Sequence, residues 1–511
     1  MVEINVTALP ASVKRYAAYL LVMAGLGGLI YGIDVGVIAA ALPYIRNTAN
    51  YGKWELGFVV SAVLWGSVVS SLFAGSLAEF FGRRKIIIAS AFCFFVSIPV
   101  ICLSGLFDGG NFLLLTVGRT LQGASAGLVG VVVPMYLAEC RDSNSRGKGT
   151  GMFQLLLTIG LAFAAVIGLV VTGLVGDSDK VIKAAAESNG VDIAAVTLAN
   201  VREWVSPEQF KSWVGAWQTI FLCSAVPGLI LFLGAFKLKE SPRWLYKKGR
   251  KEDALASLAA NNGEAKAKEI LDEMIAADEA AEAEKAAIAQ AAKGDSLFQR
   301  KYVYPFCLAV IILGCNQATG INSVLNYTVD IFKETGMTGV LANFSDLAIK
   351  LVNVFMTVVA CALVDKKGRK FLLKLGTGGI IVGLCGVGTV FLAIKSGIVA
   401  ASFATGIIAT AFFFMFIAFY AVGPGVCVWL ALSELMPTRI RATGMSIAMI
   451  INQGVSATIA SVFPAWVAGW GFAPVFYCLA LFTVVYFVTA AFFLPETKGK
   501  TLEEIEAFFK K

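Results

Sequence analysis

The sequence predicts an all-α membrane protein: twelve transmembrane helices in two six-helix pseudo-symmetric bundles, joined by a cytoplasmic helical linker. Three observations predict it. Of 511 residues, 58% are hydrophobic and 15% charged, with a mean hydropathy of +0.77, and a soluble chain of this length needs more charge to cover its surface. Apolar runs near or above bilayer-crossing length recur from end to end. A long stretch rich in Ala, Glu and Lys separates the sixth run from the seventh.

The runs fall near 16–44, 55–80, 86–106, 111–139, 149–174, 214–236, 303–331, 342–364, 371–394, 402–432, 442–469 and 473–494. In lipid every backbone amide must be satisfied within its own segment, so these are helices. The alternating apolar and polar pattern of barrel strands is absent. Met1 to Lys14 lacks the ordered parts of a removable leader, so the first run reads as a span. Residues 175–213 form a long external loop with a helical stretch ending near Trp213. The composition of 237–302, for example Glu279 to Lys293, favours short amphipathic helices on the cytoplasmic side. The expected domains are therefore 1–236 as a first bundle, 237–302 as the linker, 303–494 as a second bundle and 495–511 as a tail.

The net charge of +8, from 42 basic and 34 acidic residues, is a topology signal. Arg83, Arg84 and Lys85 share one loop, and Lys366, Lys367, Arg369 and Lys370 share another. With both termini in the cytoplasm, most basic residues fall on the cytoplasmic side, as the positive-inside rule requires. That placement excludes a nucleic-acid partner. The chain has no histidine, and its ten cysteines show no ligand spacing, which points away from a metal site, a cofactor or a disulfide framework. No nucleophile–base arrangement suggests an enzyme. Proton chemistry must then run through carboxylates.

An internal repeat supports the two halves. Gly75 to Lys85 follows the second run and Asp365 to Lys370 the eighth; Glu139 with Arg146 follows the fourth, and Glu434 with Arg441 the tenth. Repeats six spans apart place a substrate site near the midplane between the halves. Acids and arginines at the span ends, namely Glu79, Arg83, Glu139, Arg146, Glu240, Arg243, Asp365, Arg369, Glu434 and Arg441, suit a cytoplasmic charge latch that releases when the halves rock. Plain topology charge would explain the arginines but not the acids.

Two ionisable residues inside spans stand out: Asp34 and Arg119. Each needs a partner or a watery cavity. As a pair they form a coupling device, because protonating Asp34 breaks it; the competing reading is a static ion pair. Neutral amides form the second group: Gln154, Asn316, Gln317, Asn322, Asn326, Asn353, Asn452 and Gln453. Amides offer donors and acceptors to uncharged hydroxyls, and they also bond helices to one another. On a regular helix Asn322 and Asn326 share a face, with Gln317 aside. Tyr31 and Trp429 can stack on the apolar face of a ring-shaped ligand or anchor at an interface. Lys350 either snorkels or faces the cavity.

Across nearly its whole length the chain resembles a sugar porter of the major facilitator superfamily. The resemblance rests on Gly27-Gly28-x-x-Tyr31-Gly32-x-Asp34-x-Gly36-Val37-Ile38, the Gly75 to Lys85 loop, Gly118-Arg119-x-x-Gln122-Gly123 and Pro134-Met135-Tyr136-x-Ala138-Glu139. Further pieces are Glu240-Ser241-Pro242-Arg243-Trp244-Leu245, Gln317-x-Thr319-Gly320-Ile321-Asn322, Gly423-Pro424-Gly425, Ser433-Glu434-x-x-Pro437 and Pro495-Glu496-Thr497-Lys498-Gly499-Lys500. It implies alternating-access transport of a monosaccharide or polyol in a bilayer, by a chain expected to work as a monomer. Gln154, Gln317, Asn322, Asn353, Trp429 and Asn452 fall on sugar-contacting positions, with Tyr31 beside them. An aspartate at the position of Asp34 implies proton symport; the rivals are facilitative diffusion, inositol-type polyol symport and a non-transporting receptor. Three departures, Asn316, Asn326 and Gln453, make the expected pocket more polar and less aromatic than a typical glucose site.

Overall fold

A computed structural model describes residues 10–140, 146–264, 266–276, 279, 298–437, 440–496 and 509. Among them are twelve helical spans long and apolar enough to cross a membrane, and no strands. The first half contains α1 (Ala11–Thr48), α2 (Lys53–Phe81), α3 (Arg83–Ser104), α4 (Phe112–Cys140) and α5 (Arg146–Val175). After α6 (Ser178–Ser188) and α7 (Leu198–Trp204), α8 (Pro207–Ala235) completes it. The short helices α9 (Pro242–Lys247) and α10 (Lys251–Asn262) follow. The second half contains α11 (Arg300–Ala318), α12 (Ile321–Glu334), α13 (Gly339–Lys367), α14 (Arg369–Lys395), α15 (Phe403–Val422), α16 (Pro424–Leu435), α17 (Arg441–Trp470) and α18 (Phe472–Val488).

The sixth span begins seven residues before its apolar run, because Ser206 caps it by accepting from the Gln209 amide (3.3 Å) and Pro207 supplies a preset first turn. The seventh span is not one helix. Gly320, at φ +79°, separates α11 from α12, a left-handed conformation that only glycine adopts without strain. Proline produces the other break, at Gly423-Pro424 between α15 and α16.

Close helix contacts rest on small residues. A Cβ on Gly28 or Gly32 of α1 would collide with the Phe153 or Leu157 carbonyl of α5, and one on Gly160 would collide with the Leu29 carbonyl. Glycine at four-residue spacing lets the two backbones touch, as in other membrane helix pairs.

Buried apolar residues locate where the halves meet. One cluster joins both: Val37 to Ile45 and Leu56 to Val60 of the first half pack with Ile321 to Phe332 and Phe463 of the second. These residues lie toward the face that carries the Thr48–Lys53 turn. Toward the opposite face, which carries the Gly82 turn, there are two separate clusters, one confined to each half. The molecule is closed at the Thr48 face and parted at the Gly82 face.

Candidate functional site

The broken seventh span builds the site. Gly320 interrupts the helix between α11 and α12, and across the interruption Asn322 Nδ2 donates to Gln317 Oε1 at 3.0 Å and to Ser456 Oγ of α17 at 2.7 Å. Gln317 Nε2 donates to Asn452 Oδ1 at 3.3 Å, and Asn452 Nδ2 to the Leu313 carbonyl at 2.9 Å. A regular helix would leave Gln317 aside from Asn322; the glycine break brings them into direct contact. Asn452 is spent on holding α17 to α11, so of this group it is the one most committed to packing.

Asn316 and Asn326 are buried, and among the described residues each side-chain oxygen lacks a hydrogen-bond partner. Such acceptors are costly unless a water or ligand hydroxyl reaches them. Tyr420 of α15 flanks Asn316. From the first half, the Tyr31 ring projects beside Gln453 of α17 and Ser67 of α2, so aromatic and amide groups from opposite halves share one space. Gln154 and Asn353 are half-buried. The side chain of Trp429 lies outside the described residues.

Asp34 is fully buried, and among the described residues neither carboxyl oxygen has a hydrogen-bond partner. Arg119 is also buried, but it does not form the expected ion pair. Its Nη1 donates to the Asp34 backbone carbonyl (3.3 Å) and to Gln122 Oε1 (3.0 Å), and its guanidinium sits 5.5 Å from the centre of the Phe221 ring. The two residues are neighbours through the Asp34 backbone carbonyl, not through an ion pair of their side chains. Lys350 neither snorkels nor lies open in the cavity: it is fully buried and binds Asp346 Oδ2 at 2.6 Å, one helical turn away.

At the Gly82 face, Arg83 of α3 binds Glu139 of α4 through two parallel bonds of 2.7 and 2.8 Å. Glu139 also accepts from the Ser241 hydroxyl (2.5 Å), and Glu240 accepts from the backbone amides of Arg83 (2.8 Å) and Arg84 (3.0 Å). Glu79 is exposed and makes no ion pair among the described residues; its carbonyl accepts from the Trp244 indole at 2.8 Å. Arg243 and Arg369 stand in the first turns of α9 and α14. The side chains of Arg146, Asp365, Glu434 and Arg441 lie outside the described residues. The repeat extends further than the sequence motifs indicated: the Glu240 carboxylate sits against Gly82, and the Glu496 carboxylate sits against Gly368 at the matching turn of the second half.

Sequence reasoning missed Ser456, Tyr420, Gln122 and Asp346. Two had a signal, since Gln122 lies three residues after Arg119 and Asp346 four before Lys350, both helical-neighbour spacings.

A profile of the family described as sugar (and other) transporter matches residues 20–509. A D-xylose transporter of Levilactobacillus brevis is 29% identical over 484 residues, covering 94% of this chain and 93% of that protein. An arabinose-proton symporter of Bacillus subtilis is 28% identical over 489 residues, covering 96% and 94%; a major myo-inositol transporter of the same organism is 28% identical over 491, covering 95% and 92%. Among solved structures, the inward open conformation of the xylose transporter XylE from E. coli superposes with a TM-score of 0.75 at 24% identity, over 96% of this chain and 100% of that one.

Proposed function

We propose, because the chain belongs to the sugar (and other) transporter family, that this multi-pass membrane protein carries a monosaccharide or polyol together with a proton by alternating access. The observation that carries the reading is the linked amides of Gln317, Asn322 and Asn452 in the second half, with Tyr31 of the first half beside the adjoining amide Gln453. Relatives that carry xylose, arabinose with a proton, and myo-inositol support neutral polyhydroxyl substrates. With both termini cytoplasmic, as the Lys and Arg placement favours, the parted Gly82 face is the cytoplasmic one and the structure is inward-facing. Residues 237–302 are then the cytoplasmic linker between the two bundles.

The first half supplies the proton site. An ionised Asp34 would be a buried charge without a donor, so the arrangement suits the neutral acid. Loss of the proton would draw Arg119 from the Asp34 carbonyl onto its carboxylate, shifting α4 against α1. In the second half, the unpartnered oxygens of Asn316 and Asn326 accept sugar hydroxyls, and Gln317 and Asn322 exchange bonds with one another for bonds to sugar. The Arg83–Glu139–Glu240 cluster binds α3, α4 and the segment before α9 into one unit, so the half moves as a body.

Uptake of labelled pentoses, hexoses and inositols into proteoliposomes, with pH varied on each side, tests both parts. Asp34→Asn should abolish uphill accumulation and leave exchange at equilibrium; unchanged accumulation would refute coupling. Facilitative diffusion is the second reading, favoured by the absence of a closed Asp34–Arg119 pair. It predicts no alkalinisation of the outside medium when sugar is added.

A further inference from the structure

The Thr48 face is held by charge as well as by apolar contact. Arg46, near the end of α1, binds Asp330 of α12 at 3.0 Å and Asp179 of α6 at 3.0 Å. Lys333 of α12 binds Asp177 at 2.7 Å and Asp179 at 2.8 Å. Asp177 also accepts from the backbone amide of Gly339, the first residue of α13, at 2.7 Å. The first half thus presents one cation and two anions, and the second answers with one anion, one cation and a helix N-terminus.

The first-half side of this cluster is built, not incidental. The Tyr44 hydroxyl donates to the Gly176 carbonyl at 2.6 Å, and Asn47 Nδ2 donates to Ser178 Oγ (3.0 Å) and Asp179 Oδ1 (2.6 Å). These bonds seat the 176–179 segment on the end of α1. The second-half side lies on the helix that carries the amides. Asn322 and Asn326 occupy the start of α12, Asp330 and Lys333 its end, and Gly320 hinges it from α11. A helix of 14 residues spans about 21 Å, so one short rigid element connects the substrate-facing end to the charge cluster.

We propose that Arg46, Asp330 and Lys333, with Asp177 and Asp179, form a latch that fixes the far end of α12 and thereby sets whether the substrate site is shut from the Thr48 side. These are positioning residues that touch no substrate. The cross-half bonds exist only while the halves meet at this face, so opening it must break all of them, and weakening the latch favours the form open on this side. The inference rests on the transport reading for its meaning, but the latch itself is read by distance alone.

The test places spin labels, carried on non-canonical residues to avoid the ten native cysteines, at Asn50 and Val340, exposed positions on opposite halves at this face. Lys333→Met and Asp330→Asn should each raise the population of the long distance several-fold and lower the half-saturating sugar concentration from this side. Lys333→Arg should leave the distances as they are. The two variants remove different bonds, Lys333→Met those to Asp177 and Asp179 and Asp330→Asn that to Arg46, so failure of one to fold leaves the other decisive. Unchanged distances in both neutralised variants would overturn the latch. Lengthened distances in a chain that carries none of the tested polyols would uphold it and sink the substrate assignment instead.

Discussion

Gly57 of α2 and Ser461 of α17 meet so closely that a Cβ on the glycine would strike the Ser461 carbonyl oxygen. The Ser461 hydroxyl donates to Ser61 Oγ at 2.7 Å and accepts from Trp65 Nε1 at 3.1 Å. Two helices from opposite halves therefore close on one another with backbone in contact, and the closure depends on the missing side chain.

Gly57→Val should consequently oppose closure at this face. Overpacking of a tight contact costs about 1–3 kcal/mol, a bias of roughly 5- to 150-fold between the two forms. Net uptake should fall by about tenfold or more, with substrate binding from this side retained. Equilibrium binding set beside initial uptake rates measures both, and wild-type uptake rates would contradict the argument.

Ser456 and Asn452 share α17 but should respond differently to truncation. Ser456 bonds the Asn322 side chain, so Ser456→Ala loosens an amide that sugar would use; one bond of about 1 kcal/mol corresponds to roughly a fivefold weaker half-saturation. Asn452 is fixed to the Leu313 carbonyl, so Asn452→Ala should lower thermal stability in detergent as well as affinity. Equal stability losses in both variants would mean that Ser456 is packing too.

The difference between those serine and asparagine roles marks what the sequence could express. All twelve spans were legible because lipid admits only long apolar helices, and the two halves because the loop motifs repeat. The candidate residues could be chosen for polarity inside those spans. Their partners could not: Asn322 meets Gln317 through the Gly320 break, and Asp34 misses Arg119 by a contact to its own carbonyl, both matters of backbone path and helix rotation. The charge cluster at Arg46 was hidden for another reason. Its residues sit at span ends, where charge is ordinary, and are more than 280 positions apart for the Arg46–Asp330 bond.

The Arg83–Glu139 pair is nearly buried, with side chains 7% and 10% exposed, and it is bidentate. Arg83→Lys keeps the charge but loses the planar fork. Glu139 would then keep the Ser241 bond and one bond to lysine, whereas Arg83→Ala leaves it without a cation. Breaking such a pair costs about 3–5 kcal/mol, so alanine should lower the melting temperature clearly and lysine by less than half as much. Indistinguishable melting curves for the two would show that charge, not the fork, holds α3 to α4.

Asp179 bears on pH. Burial alone would raise its carboxyl, but Arg46 and Lys333 beside it, with the Asn47 amide, hold it down to about 2, against the acids Asp330 and Glu334 that also face it. A depressed carboxyl contributes stability above its unfolded value of about 3.9, and loses it as pH falls toward the folded value. Asp179 is thus ionised throughout the range between about pH 5 and 8. Asp179→Asn should lower uptake without changing the shape of its pH profile in that range, leaving the pH dependence to Asp34. A profile displaced by this substitution would place titration at the Arg46 cluster.

Lys350 and Asp346 form a pair one turn apart on α13, both fully buried, with Asp346 Oδ1 left without a hydrogen-bond partner among the described residues. Removing one member leaves the other as an isolated buried charge, which costs about 3–5 kcal/mol; replacing both by apolar residues of similar size is often neutral. Lys350→Met alone should therefore destabilise the protein strongly in a thermal unfolding assay, and Asp346→Leu combined with Lys350→Met should recover most of the loss. If instead the lysine serves the substrate, the double variant would regain stability yet stay inactive in uptake. Recovery of both stability and transport assigns the pair to the framework of α13 alone.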